Sequence, residues 1–182
     1  NMSGTASIVV RALPIANTIT GGGAYCSGGT GVAVGLSTSE IGISYQLWKA
    51  GAVVGSPVIG TGSPISFGLQ TGAGTYSVIG TSPVTGCSNN MAGSATVLIN
   101  PLPVAFSVIG GGSYCSGAPG VHVGLNRSDA GTNYQLMNGG TPIGSPITGT
   151  GAGIDFGLNT AGAYTVVAAN PATTCINNMA GT

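Results

Sequence analysis

The chain has 182 residues, 35 of them glycine and 10 proline, and only three basic and three acidic side chains, for a formal net charge of zero. Three Lys and Arg residues cannot build the basic surface that nucleic acid requires. Glycine and proline at this level, with alanine lacking a 3.6-residue period, exclude a helical fold, and low charge beside many Val, Ile and Tyr excludes disorder, so an all-β chain is expected.

Taken in order, the opening NMSGTAS is polar and has no signal-peptide pattern, and no apolar run approaches the roughly 18 residues needed to span a bilayer. No membrane insertion is expected, and the chain reads as a mature piece of something longer. The first strand-like run is Ala6, Ser7, Ile8, Val9, Val10 and Arg11. Further short β-branched runs follow at residues 15–20 (IANTIT), 32–36 (VAVGL), 43–48 (ISYQLW), 52–55 (AVVG), 64–67 (PISF), 75–80 (TYSVIG) and 95–100 (ATVLIN), separated by clusters of Gly, Pro, Asn and Ser.

The pattern then repeats. GGGAYCSG at 21–28 returns as GGGSYCSG at 110–117, and residues 1–71 align with 90–160 at an offset of 89 with about half the positions identical. A one-residue deletion, TGAGTY against TAGAY, changes the offset to 88, and NNMAG at 89–93 then meets NNMAG at 177–181. The deletion falls in a glycine-rich turn, where length changes cost little. A period of this size suits a small domain. The expected organisation is a strand at 1–11 belonging to a preceding or neighbouring domain, a first repeat at 12–100 and a second at 101–182, the two joined by NPLP. The second repeat shows six of the seven runs. The counterpart of ATVLIN is missing from it, and Ala6–Arg11 is a spare copy of that run.

Seven short strands in fewer than 100 residues, with alternating apolar faces, predict two tandem immunoglobulin-like β-sandwich domains, the second lacking its last strand, with an N-terminal orphan strand. GTYSVIG and GAYTVVA support this, because Tyr76 and Tyr164 stand where a tyrosine corner begins strand F. The lone Trp48 is Met137 in the second repeat and is no shared core anchor.

The four cysteines fall two to a repeat, Cys26 and Cys87, then Cys115 and Cys175. Three connectivities are formally possible. A repeat with its own pair can close its own bridge, so intradomain disulfides stapling one pole of each sandwich are expected, leaving no free thiol. Such bridges would stabilise each unit by roughly 4 kcal/mol and imply an oxidising, extracytoplasmic location.

Catalytic constellations are scarce. His122 aligns with Ala33 and Asp155 with Ser66, so neither belongs to a shared site. Glu40 and Asp129 are the acidic pair at equivalent positions, both in turns, and two isolated carboxylates are too few for calcium. Gly-rich phrases such as GTGSP lead into strands, not into a helix N-terminus, and no Gly-Lys-Ser/Thr follows. Asn1 and Asn126 begin Asn-x-Ser sequons. No cofactor, metal site or enzymatic activity is expected.

The succession PLP, GGGSYCSG, GV.VGL, YQL, GSP..GTG, TAG.YTV and NNM.G resembles the tandem Ig-like repeats of very large surface proteins of Bacteroidetes-type bacteria, adhesin-like and gliding-associated proteins of the type IX secretion route. The resemblance covers essentially the whole chain. It implies a secreted, cell-surface, non-enzymatic role as stalk, filament or adhesive surface, and it offers no catalytic residues. A nearly uncharged surface also lacks the repulsion and the charged edge residues that keep sheets apart. The expected partners are copies of the chain or adjacent repeats, met head to tail by strand complementation through Ala6, Ser7, Ile8, Val9, Val10 and Arg11, or within one long tandem array. A glycan- or surface-binding module, for which an exposed Trp48 or exposed Tyr clusters would speak, and an accessory domain of a secreted enzyme, which would need a catalytic domain elsewhere, are the alternatives.

Overall fold

Alternation of apolar side chains divides each unit into two sheets that face each other across a core. A computed structural model describes residues 6–182, and the chain forms two units, the first ending at Ile99 and the second running from Asn100, the last residue of the strand that closes the first.

The first unit contains β1 (Ile19–Gly21), β2 (Gly23–Cys26), β3 (Val32–Leu36), β4 (Ser44–Lys49), β5 (Ala52–Ile59), β6 (Ile65–Gln70), β7 (Gly74–Thr81), β8 (Ser88–Asn90) and β9 (Ala95–Asn100). One sheet has the order β1-β3-β6 and the other β2-β9-β7-β4-β5, with β8 paired to the end of β7. Val34 and Leu36, Tyr45 and Leu47, Tyr76 and Val78, and Ala95 and Val97 form the core. Each pair is two residues apart on its strand, as the period of a half-buried strand demands. With two facing sheets and a first strand that contributes to both, the architecture is an immunoglobulin-like sandwich.

The repeated triple glycine makes that first strand possible. Gly21, Gly22 and Gly23 have φ of 89°, 80° and 127°, and Gly110, Gly111 and Gly112 have 91°, 76° and 127°. Three consecutive left-handed residues are tolerated only by glycine. In the first unit they carry the chain from β1 in one sheet to β2 in the other.

The second unit repeats the plan with β10 (Val108–Gly110), β11 (Val121–Leu125), β12 (Asn133–Asn138), β13 (Thr141–Thr148), β14 (Ile154–Asn159), β15 (Tyr164–Ala169) and β16 (Ile176–Asn178). Its sheets are β10-β11-β14 and β13-β12-β15-β16, closed over Val123, Leu125, Tyr134, Leu136, Val166 and Met179. Among the described residues no strand stands in the place of β9. Residues 112–115, the equivalents of β2, are likewise outside any strand.

Several repeated phrases are hydrogen-bonding devices. The glutamine of YQL fills a bulge, Gln46 Nε2 donating to Leu47 O and Val54 O at 3.0 Å each, and Gln135 Nε2 to Leu136 O and Ile143 O at 2.9 and 2.8 Å. The first asparagine of NNM ties β8 or β16 to the proline at the start of its unit: Asn89 Nδ2 donates to Pro14 O and Asn177 Nδ2 to Pro103 O, both at 2.8 Å. Both tyrosine corners are present, Tyr76 donating its hydroxyl to Gly72 O at 2.7 Å and Tyr164 to Thr160 O at 3.0 Å.

Candidate functional site

The distinctive feature of the second unit is an open slot beside β15. In the first unit β9 lies between β2 and β7 and pairs with β7 in the register Gly74↔Val97, Thr75↔Thr96, Tyr76↔Ala95, with Val97 fully buried and Ala95 2% exposed. The backbone of β9 passes so close that a β-carbon on Gly22 would lie 2.7 Å from Thr96 O, while one on the equivalent Gly111 would meet nothing within 4 Å. The vacant volume is a cleft of about 580 Å³ lined by Gly111, Gly112, Tyr114, Val121, Val123 and Tyr164, among others. A second opening of about 350 Å³, lined in part by Val108, Gly110 and Thr182, continues it. β7 starts at Gly74, but β15 starts only at Tyr164, the equivalent of Tyr76. The two residues before Tyr164 have no partner strand to extend them.

The segment Ala6–Arg11, the sequence copy of β9, forms no strand and is exposed throughout, with Ile8 93% and Val10 92% accessible. Among the described residues, then, no strand occupies the β9 position of the second unit, and Ala6–Arg11 pairs with no strand.

The cysteines depart from the expected intradomain pairing. Cys26 and Cys175 are disulfide-bonded, whereas Cys87 and Cys115 carry free thiols, so the expectation of no free thiol fails. The physical reason is their placement at opposite poles. Thr18 bridges Ala92 in parallel and Gly22 packs on Ala95 and Thr96, so β2, which ends at Cys26, runs along β9 in the same direction. Its neighbour Tyr25 donates its hydroxyl to Thr71 O, just before β7. Cys87 accepts a hydrogen bond from Ser82 N at 2.9 Å, just after β7. The eight residues of β7 hold the two about 23 Å apart at the usual rise per residue, and a disulfide tolerates Cα atoms no more than about 7 Å apart. In the second unit Tyr114, beside Cys115, accepts from Ala161 N at 3.0 Å, and Cys175 O accepts from Asn170 N at 2.9 Å. The whole of β15 separates them. Sequence spacing alone did not reveal this, because it showed two loops without showing which pole each occupies.

The remaining polar residues serve local structure. Glu40 and Asp129 anchor the chain as it enters each unit: Ile15 N donates to Glu40 Oε1, and Val104 N to Asp129 Oδ2 at 3.3 Å. The backbone N–H groups of the same two residues donate to the buried hydroxyls of Tyr45 and Tyr134 at 2.9 and 2.8 Å, and burial pushes the Tyr134 phenol above its usual range. His122 on β11 pairs with Asp155 on β14, Nδ1 to Oδ2 2.7 Å, with both side chains largely exposed. The hydrogen bond from His122, then that from Gly157 N–H, holds the Asp155 carboxyl below the usual carboxylate range. Trp48 is half-buried on β4 and its indole nitrogen is enclosed without an acceptor. Among the described residues no three His, Cys, Asp or Glu side chains gather where they could hold a metal ion, and no helix is long and apolar enough to cross a membrane.

No protein-family model matches the chain, and no curated protein matches it. Among solved structures it is similar to the human OSCAR ligand-binding domain, at 14% identity over 92% of this chain and 97% of that one, with a TM-score of 0.37.

Proposed function

We propose that the chain is a non-enzymatic structural repeat module of an extracellular filament or cell-surface adhesin, assembled head to tail by strand complementation. A segment of the Ala6–Arg11 type enters the open slot of the second unit of another copy and takes the position β9 holds in the first. The observation that carries this reading is the coincidence of a vacant β9 site with an exposed copy of the β9 sequence in one chain. The slot presents unpaired backbone groups beside an open core, the arrangement that β-strand addition satisfies. By the register of β9, Ala6 and Ile8 of the incoming copy point inward, opposite Tyr164 and Gly162. Because donor and acceptor surfaces differ, the contact is heterologous and propagates as a fibre. The disulfide chemistry fits an oxidising, extracytoplasmic setting.

The test is sedimentation and negative-stain microscopy of the purified chain under reducing conditions, beside a chain lacking residues 1–11. Filaments are expected from the 182-residue chain and monomers from the shortened one. A shortened chain that still forms the same filaments would overturn the reading. The denatured, reduced mass of the native polypeptide separates donation between subunits, about the present length, from a long tandem array, several-fold larger.

A further inference from the structure

Resting on that reading, we propose that each head-to-tail junction is locked covalently by a disulfide between Cys115 of the acceptor copy and Cys87 of the donor copy. Three placements lead to it. Cys115 is the repeat equivalent of Cys26, the last residue of β2, which runs beside β9, so a donated strand would run alongside the segment that ends at Cys115. Three residues beyond Arg11, Pro14 of the donor is held by Asn89, whose amide donates to its carbonyl at 2.8 Å, and Asn89 is two residues from Cys87. The tether from Arg11 to Pro14 spans at most about 11 Å, so complementation brings the donor's Cys87 to the acceptor's Cys115 at the high effective concentration of a short linker. Both partners are available for this bond: Cys87 and Cys115 are free thiols, Cys115 exposed and Cys87 half-buried.

The oxidant is a low-molecular-weight disulfide. The Cys115 thiolate attacks one of its sulfurs, breaking that S–S bond and releasing one small thiol, which takes up a proton. The Cys87 thiolate of the next copy then attacks the Cys115 sulfur of the mixed disulfide and releases the second small thiol. Two protein thiols lose two electrons and two protons, and the small disulfide gains them.

The experiment incubates the 182-residue chain with oxidised glutathione, quenches with N-ethylmaleimide, and resolves it by denaturing non-reducing electrophoresis. Wild type is expected to give a ladder of covalent multiples that a reductant collapses to one band. Cys87→Ser and Cys115→Ser are each expected to stay monomeric on the gel, and an equal mixture of the two to stop at a heterodimer. Filaments seen by microscopy without any ladder would overturn the lock and leave strand donation standing. Covalent dimers formed by either variant alone would overturn the Cys115–Cys87 pairing. The absence of both filaments and ladder would overturn the lock together with the reading beneath it.

Discussion

At the scale of single residues, the two repeats behave as paired measurements of one design. Tyr76 and Tyr164 each close a corner, and their Gly-x-Tyr context made the contact legible in the sequence. The roles of Gln46, Asn89 and Glu40 were not legible, because nothing in a sequence shows which distant carbonyl or N–H an amide or carboxylate will reach. Removing the corner hydroxyl with Tyr76→Phe leaves Gly72 O without its partner, and a loss of about 1–2 kcal/mol in urea unfolding is expected. The exposed His122–Asp155 pair makes a pH-dependent contribution whose sign is fixed. The Asp155 carboxyl is held low in the folded state, so its contribution is fully present above the unfolded carboxylate pKa of about 3.9. It is lost as the pH falls through the lower folded value. Asp155→Asn should therefore reduce the fall in melting temperature between neutral and strongly acidic pH; an identical acid dependence in the variant would show that the pair contributes nothing.

At the scale of elements, the strands with clear alternation were legible: β3, β4, β7 and β9 lie where their apolar periods place them. β2 and β8 were missed. β2 follows three glycines that read as a turn, and β8 is the polar Ser-Asn-Asn whose pairing to β7 comes from the backbone. β5 runs to Ile59, past the Gly and Pro that signalled its end, because the Gln46 amide satisfies the carbonyls that the bulge leaves unpaired. The triple glycine supports a sharper prediction, since its two copies differ only in whether a strand lies against them. Gly111→Ala should cost the free chain only about 1–2 kcal/mol of left-handed backbone strain, because nothing lies within 4 Å of the added methyl. It should abolish assembly, because a donated strand would bring a carbonyl as close to that methyl as Thr96 O is to Gly22. Urea melts and sedimentation of the variant test both halves. Normal assembly would mean that the slot is not filled in the manner of β9.

At the scale of the whole molecule, the repeat pattern was legible in the sequence, down to the absence of an ATVLIN counterpart between residues 101 and 182 and the second copy of that run at Ala6–Arg11. The cysteine geometry stayed hidden because pole assignment depends on how strands pair. Thr182 is the repeat equivalent of Ser94, the residue before β9, so Ala-Thr-Val-Leu-Ile-Asn appended directly after Thr182 would enter the slot of its own chain without any linker. The appended valine would bury a side chain worth about 1.5–3 kcal/mol, and its backbone would pair with β15. Supplied intramolecularly, this strand should out-compete Ala6–Arg11 from another copy, since loop closure over so few residues costs far less than association. The extended chain should be monomeric, and its second unit should melt at a higher temperature. Its own Ala6–Arg11 segment remains free to enter the slot of a wild-type copy, so it should act as a terminator. Added below equimolar amounts during assembly, it should shorten wild-type filaments in proportion to its fraction, as measured by length distributions in negative-stain images. Filaments of unchanged length in its presence would rule out growth by strand donation.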